Sequence, residues 1–82
     1  MKSEQETNLA IEKYADTVYG ICLLHLKNQA DAEDIFQNVF LKYVTYSKDF
    51  ESEEHEKAWI IRVTVNACKD LKRAFSEVGL FQ

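Results

Sequence analysis

At 82 residues, with a net charge of −4, no proline and two glycines, the chain has room for one domain, and its composition excludes many-turned β folds. Two cysteines are too few for a disulfide framework. No apolar run approaches the ~20 residues of a membrane span, and "MKSEQETN" has no apolar stretch of the signal-peptide kind.

The expectation is a reduced, cytoplasmic, all-α domain of three helices, without membrane insertion. The first helix is expected over about 7–27. Ile11, Tyr14, Ala15, Val18, Cys22 and Leu26 follow the three-and-four spacing of one face. Leu9, Tyr19, Ile21, Leu23 and Leu24 widen that stripe, so this helix should contact both others. Gly20 inside it costs on the order of 1 kcal/mol relative to Ala. The second helix is expected over about 29–46. Asn28 is a good N-cap, and Asp31, Glu33 and Asp34 lie near the positive end of the helix dipole. Its apolar face is Ala32, Ile35, Phe36, Val39, Phe40, Tyr43 and Val44, and its other side gathers Asp34, Gln37 and Asn38. The segment "SKDFESEEHE", 47–56, has no periodicity and reads as a loop, with Ser52 or Glu53 opening the next helix.

The third helix is expected over about 54–75. Ile60, Thr64, Ala67, Leu71 and Ala74 form its apolar strip, broadened by Val63 and Phe75. A second strip, Arg62, Asn66, Lys69 and Arg73 with Lys72 beside it, is nearly all cationic. Charge is divided along the chain. Residues 1–56 hold five Lys/Arg against twelve Asp/Glu, whereas residues 57–82 hold five against two. Such asymmetry suggests two surfaces for two partners; the bland alternative is that the halves neutralise each other in the fold.

Two blocks, "QADAEDIFQNVFLKYV" and "KAWIIRVTVNACKDLKR", resemble region 2 of bacterial RNA polymerase sigma factors, in the extracytoplasmic-function group of the sigma-70 family. The resemblance covers about residues 8–75. It implies a compact helical module that binds core RNA polymerase and recognises and melts the promoter −10 element, with no catalysis and no cofactor. By position, Asp34, Gln37 and Asn38, with Leu41 at the edge, would face the clamp helices of the polymerase's largest subunit. Arg62, Asn66, Lys69, Lys72 and Arg73 would face promoter DNA, and the 47–56 loop would meet an unstacked base. An anti-sigma factor is a further candidate partner. Asn38 stands where family members often carry an acid, and "DLKRAF" is less arginine-dense than many. No segment here is expected to supply the family's second, helix-turn-helix domain, so the chain is expected to be an excised domain or a single-domain protein.

Plainer readings stand beside these. Asp31, Glu33 and Asp34 also suit a first helical turn, and Gln37 and Asn38 suit an ordinary solvated face. Trp59 is a candidate base-stacking residue but better suited to a packing anchor; Tyr43 and Tyr46 read as core and rim. Cys22 and His25 are one turn apart, yet His55 and Cys68 lie thirteen residues from each other without metal-ligand spacing, so no metal and no Cys–His nucleophile is expected. The runner-up function is a helical protein–protein interaction domain that keeps the fold without promoter activity. An anti-sigma-like or metal-sensing regulator comes third.

Overall fold

The computed structural model describes residues 1–77, with side chains through Ala74. Three helices make up the fold: α1 (Glu4–Leu26), α2 (Gln29–Thr45) and α3 (Glu53–Glu77). The sequence places α1 three residues too late because Ser3 caps it. The Ser3 Oγ accepts from the Glu6 N–H at 3.0 Å, and Glu6 Oε1 accepts from the Ser3 N–H at 3.2 Å. This reciprocal capping box satisfies two N-terminal donors that α1 itself leaves free. At the other end Lys27 adopts the left-handed conformation, φ 55°, and its N–H donates to the Leu23 carbonyl. Asn28 then caps α2, its Oδ1 accepting from the Asp31 N–H at 3.1 Å.

α2 runs back along α1, as contacts at both ends show. Tyr19 meets Phe36 edge-on at 6.1 Å, and the Lys2 N–H donates to the Val44 carbonyl at 2.9 Å. The connection over 46–52 turns the chain again, so α3 is antiparallel to α2 and parallel to α1. Glu56 lies beside Tyr14, and Cys68 lies beside Cys22 further up. α3 therefore starts well up α1 and continues beyond its end.

One core fills the space between the three helices. Tyr14, Val18 and Cys22 from α1, Ala32, Ile35, Val39, Phe40 and Tyr43 from α2, and Trp59, Ile60, Thr64 and Cys68 from α3 are buried. Each fully buried aliphatic side chain here stabilises the fold by roughly 1.5–3 kcal/mol. Thr64 is tolerated inside because its hydroxyl donates to the Ile60 carbonyl at 2.7 Å.

The stripe on α1 is narrower than its sequence suggests. Leu9, Leu23 and Leu24 are exposed, Leu24 by 77%. At ~100° per residue these three point about 120° or more away from Val18, off the sides that face the neighbouring helices. Ala74, expected on the apolar strip of α3, is also exposed. It keeps the right angular position, but α1 has ended by that level and nothing covers it. Phe75 lies outside the described side chains.

Candidate functional site: two helix faces and an aromatic loop

Asp34, Gln37, Asn38 and Leu41 follow i, i+3, i+4 and i+7 on α2 and are all exposed, Leu41 by 63%. They point away from Ala32, Val39 and Tyr43, the residues that seat α2 in the core. Among the described residues no side-chain hydrogen bond or ion pair engages Asp34, Gln37 or Asn38. A shallow groove beside this face is lined by Tyr19, Glu33, Phe36 and Gln37.

On α3 the strip Arg62, Asn66, Lys69 and Arg73 lies opposite buried Ile60 and Thr64, and Lys72 flanks it. All five side chains are exposed. Arg73 pairs with Asp70 at 3.6 Å, one turn away. An exposed pair of this kind contributes at most about 1 kcal/mol and exchanges readily for another anion. The other ion pairs among the described residues are Lys13 with Glu53, at 2.7 Å, and Lys13 with Glu56, at 3.8 Å. Among the described residues no cation of α3 is paired with an acid of α1, α2 or the 46–52 loop. The charge asymmetry along the chain is therefore not consumed inside the fold, and the neutralisation reading fails for the described residues.

α3 begins at Glu53, one of the two residues expected to open it, so the connection is confined to 46–52. The Ser52 Oγ accepts from the His55 N–H, and His55 Nδ1 accepts from the Glu51 N–H, both at 3.0 Å. The loop folds over an aromatic cluster. The Tyr46 ring lies 4.7 Å from Trp59 and stacks on Phe50 at 5.3 Å, and Phe50 meets His55 edge-on at 5.3 Å. Trp59 is buried, so its ring packs the cluster and is not offered to a base. Tyr43 is core and Tyr46 rim, as expected.

Beneath the loop is an open cleft of about 620 Å³, whose walls include Lys2, Lys13, Tyr43, Phe50 and Glu56. Glu56 is the residue that the sequence reading missed. Given no role there beyond the charged 47–56 segment, it is half-buried and bridges all three helices. Its carboxylate oxygens accept from the Tyr14 hydroxyl at 3.0 Å and from the Tyr43 hydroxyl at 2.7 Å. Burial, then the hydrogen bond to Glu56, raises both phenols above the usual tyrosine range, so both remain donors. The available signal was positional: Glu56 continues the apolar strip of α3 one turn before Ile60.

The four metal candidates do not assemble. Cys22 and Cys68 meet in the core, where burial pushes the Cys22 thiol up to about 12 and raises that of Cys68. The spacing had suggested Cys22 with His25, not Cys22 with Cys68. His55 belongs to the loop. His25 lies eleven residues above Tyr14, ~16 Å further along the bundle. Among the described residues no three groups of metal-ligand type converge.

An all-α bundle with this order of helices can be compared with known families. The family model for sigma-70 region 2 matches residues 10–76. The chain belongs to the sigma-70 region 2 family. No curated protein and no solved structure matches it. Region 2 is a non-catalytic sigma factor module for RNA polymerase binding and promoter melting in transcription initiation. None of the helices described for this region 2 domain is long and apolar enough to cross a membrane.

Proposed function

We propose that the chain is a region 2 module of the extracytoplasmic-function type, with separate polymerase and −10 faces. The type assignment rests on the resemblance of "QADAEDIFQNVFLKYV" and "KAWIIRVTVNACKDLKR". In this reading Asp34, Gln37, Asn38 and Leu41 dock on the clamp helices of the polymerase's largest subunit. Arg62, Lys69, Lys72 and Arg73 neutralise phosphates of the −10 element, Asn66 pairs with a base edge, and the 46–52 loop receives an unstacked base. Such a module works in the cytoplasm, and an anti-sigma factor would restrain it by covering the α2 face. Residues 1–82 would form one of the domains of a sigma factor, or the whole of a single-domain one.

The observation that carries the reading is the exposed cation strip of α3, unpaired with the acidic remainder and set opposite fully buried Ile60 and Thr64. Cations held on one face release counterions from DNA, and a protein that captures an extruded base stabilises open DNA without covalent chemistry. The test is binding to a −10 non-template oligonucleotide across salt concentrations, with core polymerase present. Replacing Lys69, Lys72 and Arg73 together with Ala should flatten the log–log salt slope by about two units, at ~0.7 per phosphate of a single strand. Asn66→Ala should lower sequence preference and leave the slope alone. An unchanged slope in the triple variant removes the DNA role from α3 and favours the protein–protein interaction domain instead.

A further inference from the structure

The 46–52 loop has little backbone bonding of its own. The Tyr46 N–H donates to the Tyr43 carbonyl at 3.2 Å and the Glu51 N–H to His55. Between Ser47 and Phe50 no backbone group is engaged among the described residues. Yet the loop presents an ordered set of rings, so something outside it must hold them.

Lys2 lies against it from the start of the chain. Its Nζ donates to the Tyr46 carbonyl at 2.8 Å, the carbonyl that follows the last turn of α2. The same ammonium sits 4.9 Å from the Tyr43 ring centre, 5.2 Å from Tyr46 and 5.2 Å from Phe50. Its own N–H is tied to the Val44 carbonyl, and the next residue is the Ser3 cap of α1. The side chain is thus anchored at its root by two helices while its charge meets one loop carbonyl and three rings. A cation over an aromatic face is attracted by the ring quadrupole, and here one cation serves three rings at once.

We propose that Lys2 is a positioning residue for the 46–52 loop, its ammonium holding Tyr46 and Phe50 in place and so fixing the loop over the cleft that Phe50 lines. Lys2 makes no contact with a base in this proposal; it sets the loop that does. The functional half rests on the reading of the loop given above, whereas the structural half does not.

The experiment uses Lys2→Met, which keeps a long apolar stem and the backbone hydrogen bond but removes the charge and the donor, and Lys2→Arg, which restores both. Amide exchange of the full chain is followed without DNA. Exchange of the Tyr46 and Glu51 amides should quicken about tenfold in Lys2→Met, the factor that one lost charge-assisted hydrogen bond implies, and return toward the parent rate in Lys2→Arg. Emission from Trp59, the sole tryptophan, should shift in the same order. On a −10 oligonucleotide with core polymerase, Lys2→Met should lose sequence preference with an unchanged salt slope. Unaltered exchange in Lys2→Met overturns the proposal, and a slope reduced by about one unit without a change in exchange makes Lys2 a phosphate contact instead. Faster exchange with intact sequence preference upholds Lys2 as the positioning residue and refutes the base-reading role of the loop.

Discussion

Removal of the Glu56 carboxylate is the most discriminating perturbation of the fold, because one half-buried acid serves two buried phenols. Tyr14 is 4% exposed and Tyr43 is 3% exposed, and each donates its hydroxyl to a different oxygen of Glu56. A hydrogen bond to a charged group contributes about 1.5–3 kcal/mol net, which for two such bonds sets an upper range of roughly 3–6 kcal/mol. The cleft beside them is open, so water replaces part of what Glu56→Ala removes, and the expected loss is about 2–3 kcal/mol. For a domain of this size that lowers Tm by roughly 10–20 °C. Glu56→Gln keeps one accepting oxygen and should lose about half as much. The assay is denaturant unfolding of both variants in the parent and in a Tyr14→Phe/Tyr43→Phe background. If the carboxylate acts through the phenols, the cost of Glu56→Ala falls to under ~1 kcal/mol once both hydroxyls are gone. An equal cost in both backgrounds would refute this account and assign the effect to lost packing or to the Lys13 pair.

Gly20 is exposed in mid-α1, and a Cβ there meets nothing within 4 Å, so Gly20→Ala should raise unfolding stability by about 0.5–1 kcal/mol in denaturant titration. Asp34→Arg should weaken pull-down of core polymerase while leaving Tm within about 2 °C; retained binding would remove Asp34 from the docking face. Cys22 and Cys68 should resist a thiol reagent at pH 8 in the folded chain and react fully once it is denatured, since both are buried with raised thiol pKa values. Rapid labelling of the native chain would contradict the packing of α3 on α1.

Much of the bundle was legible because helix periodicity survives in a single sequence. The apolar face of α2, read as Ala32, Ile35, Phe36, Val39, Phe40, Tyr43 and Val44, is the face that packs. The errors have two causes. Leu24 was placed inside because the stripe on α1 was drawn too wide, and Ala74 because periodicity gives a direction on a helix but not the height at which α1 stops covering α3. Cys22 and Cys68 meet only because α1 and α3 run parallel with an offset, which no local pattern encodes. Ser3 and Glu6 did carry a local signal, the S-x-x-E spacing of a capping box, and α1 starts there. A lysine at position 2 looks solvated, and the one local signal for Glu56, its place one turn before Ile60, is outweighed by the run of acids in "ESEEHE". Their roles come from long-range partners, forty-two residues away for Glu56 with Tyr14 and forty-four for Lys2 with Tyr46.

The arrangement of charge explains how an acidic chain keeps an exposed cationic strip. Over the cleft, Lys2, just before α1, and Lys13 of α1 sit among Glu6, Asp49, Glu53 and Glu56, and Lys13 holds the Glu53 carboxyl below its ordinary range through their hydrogen bond. The N-terminal segment and α1 thus supply cations where the acids cluster, and the strip Arg62, Lys69 and Arg73 of α3 lies on another side. The α2 face and the α3 strip each point away from the shared core, so occupation of one leaves the other open. The separation of the two faces is built into the directions of Val39 and Ile60, the buried residues opposite them.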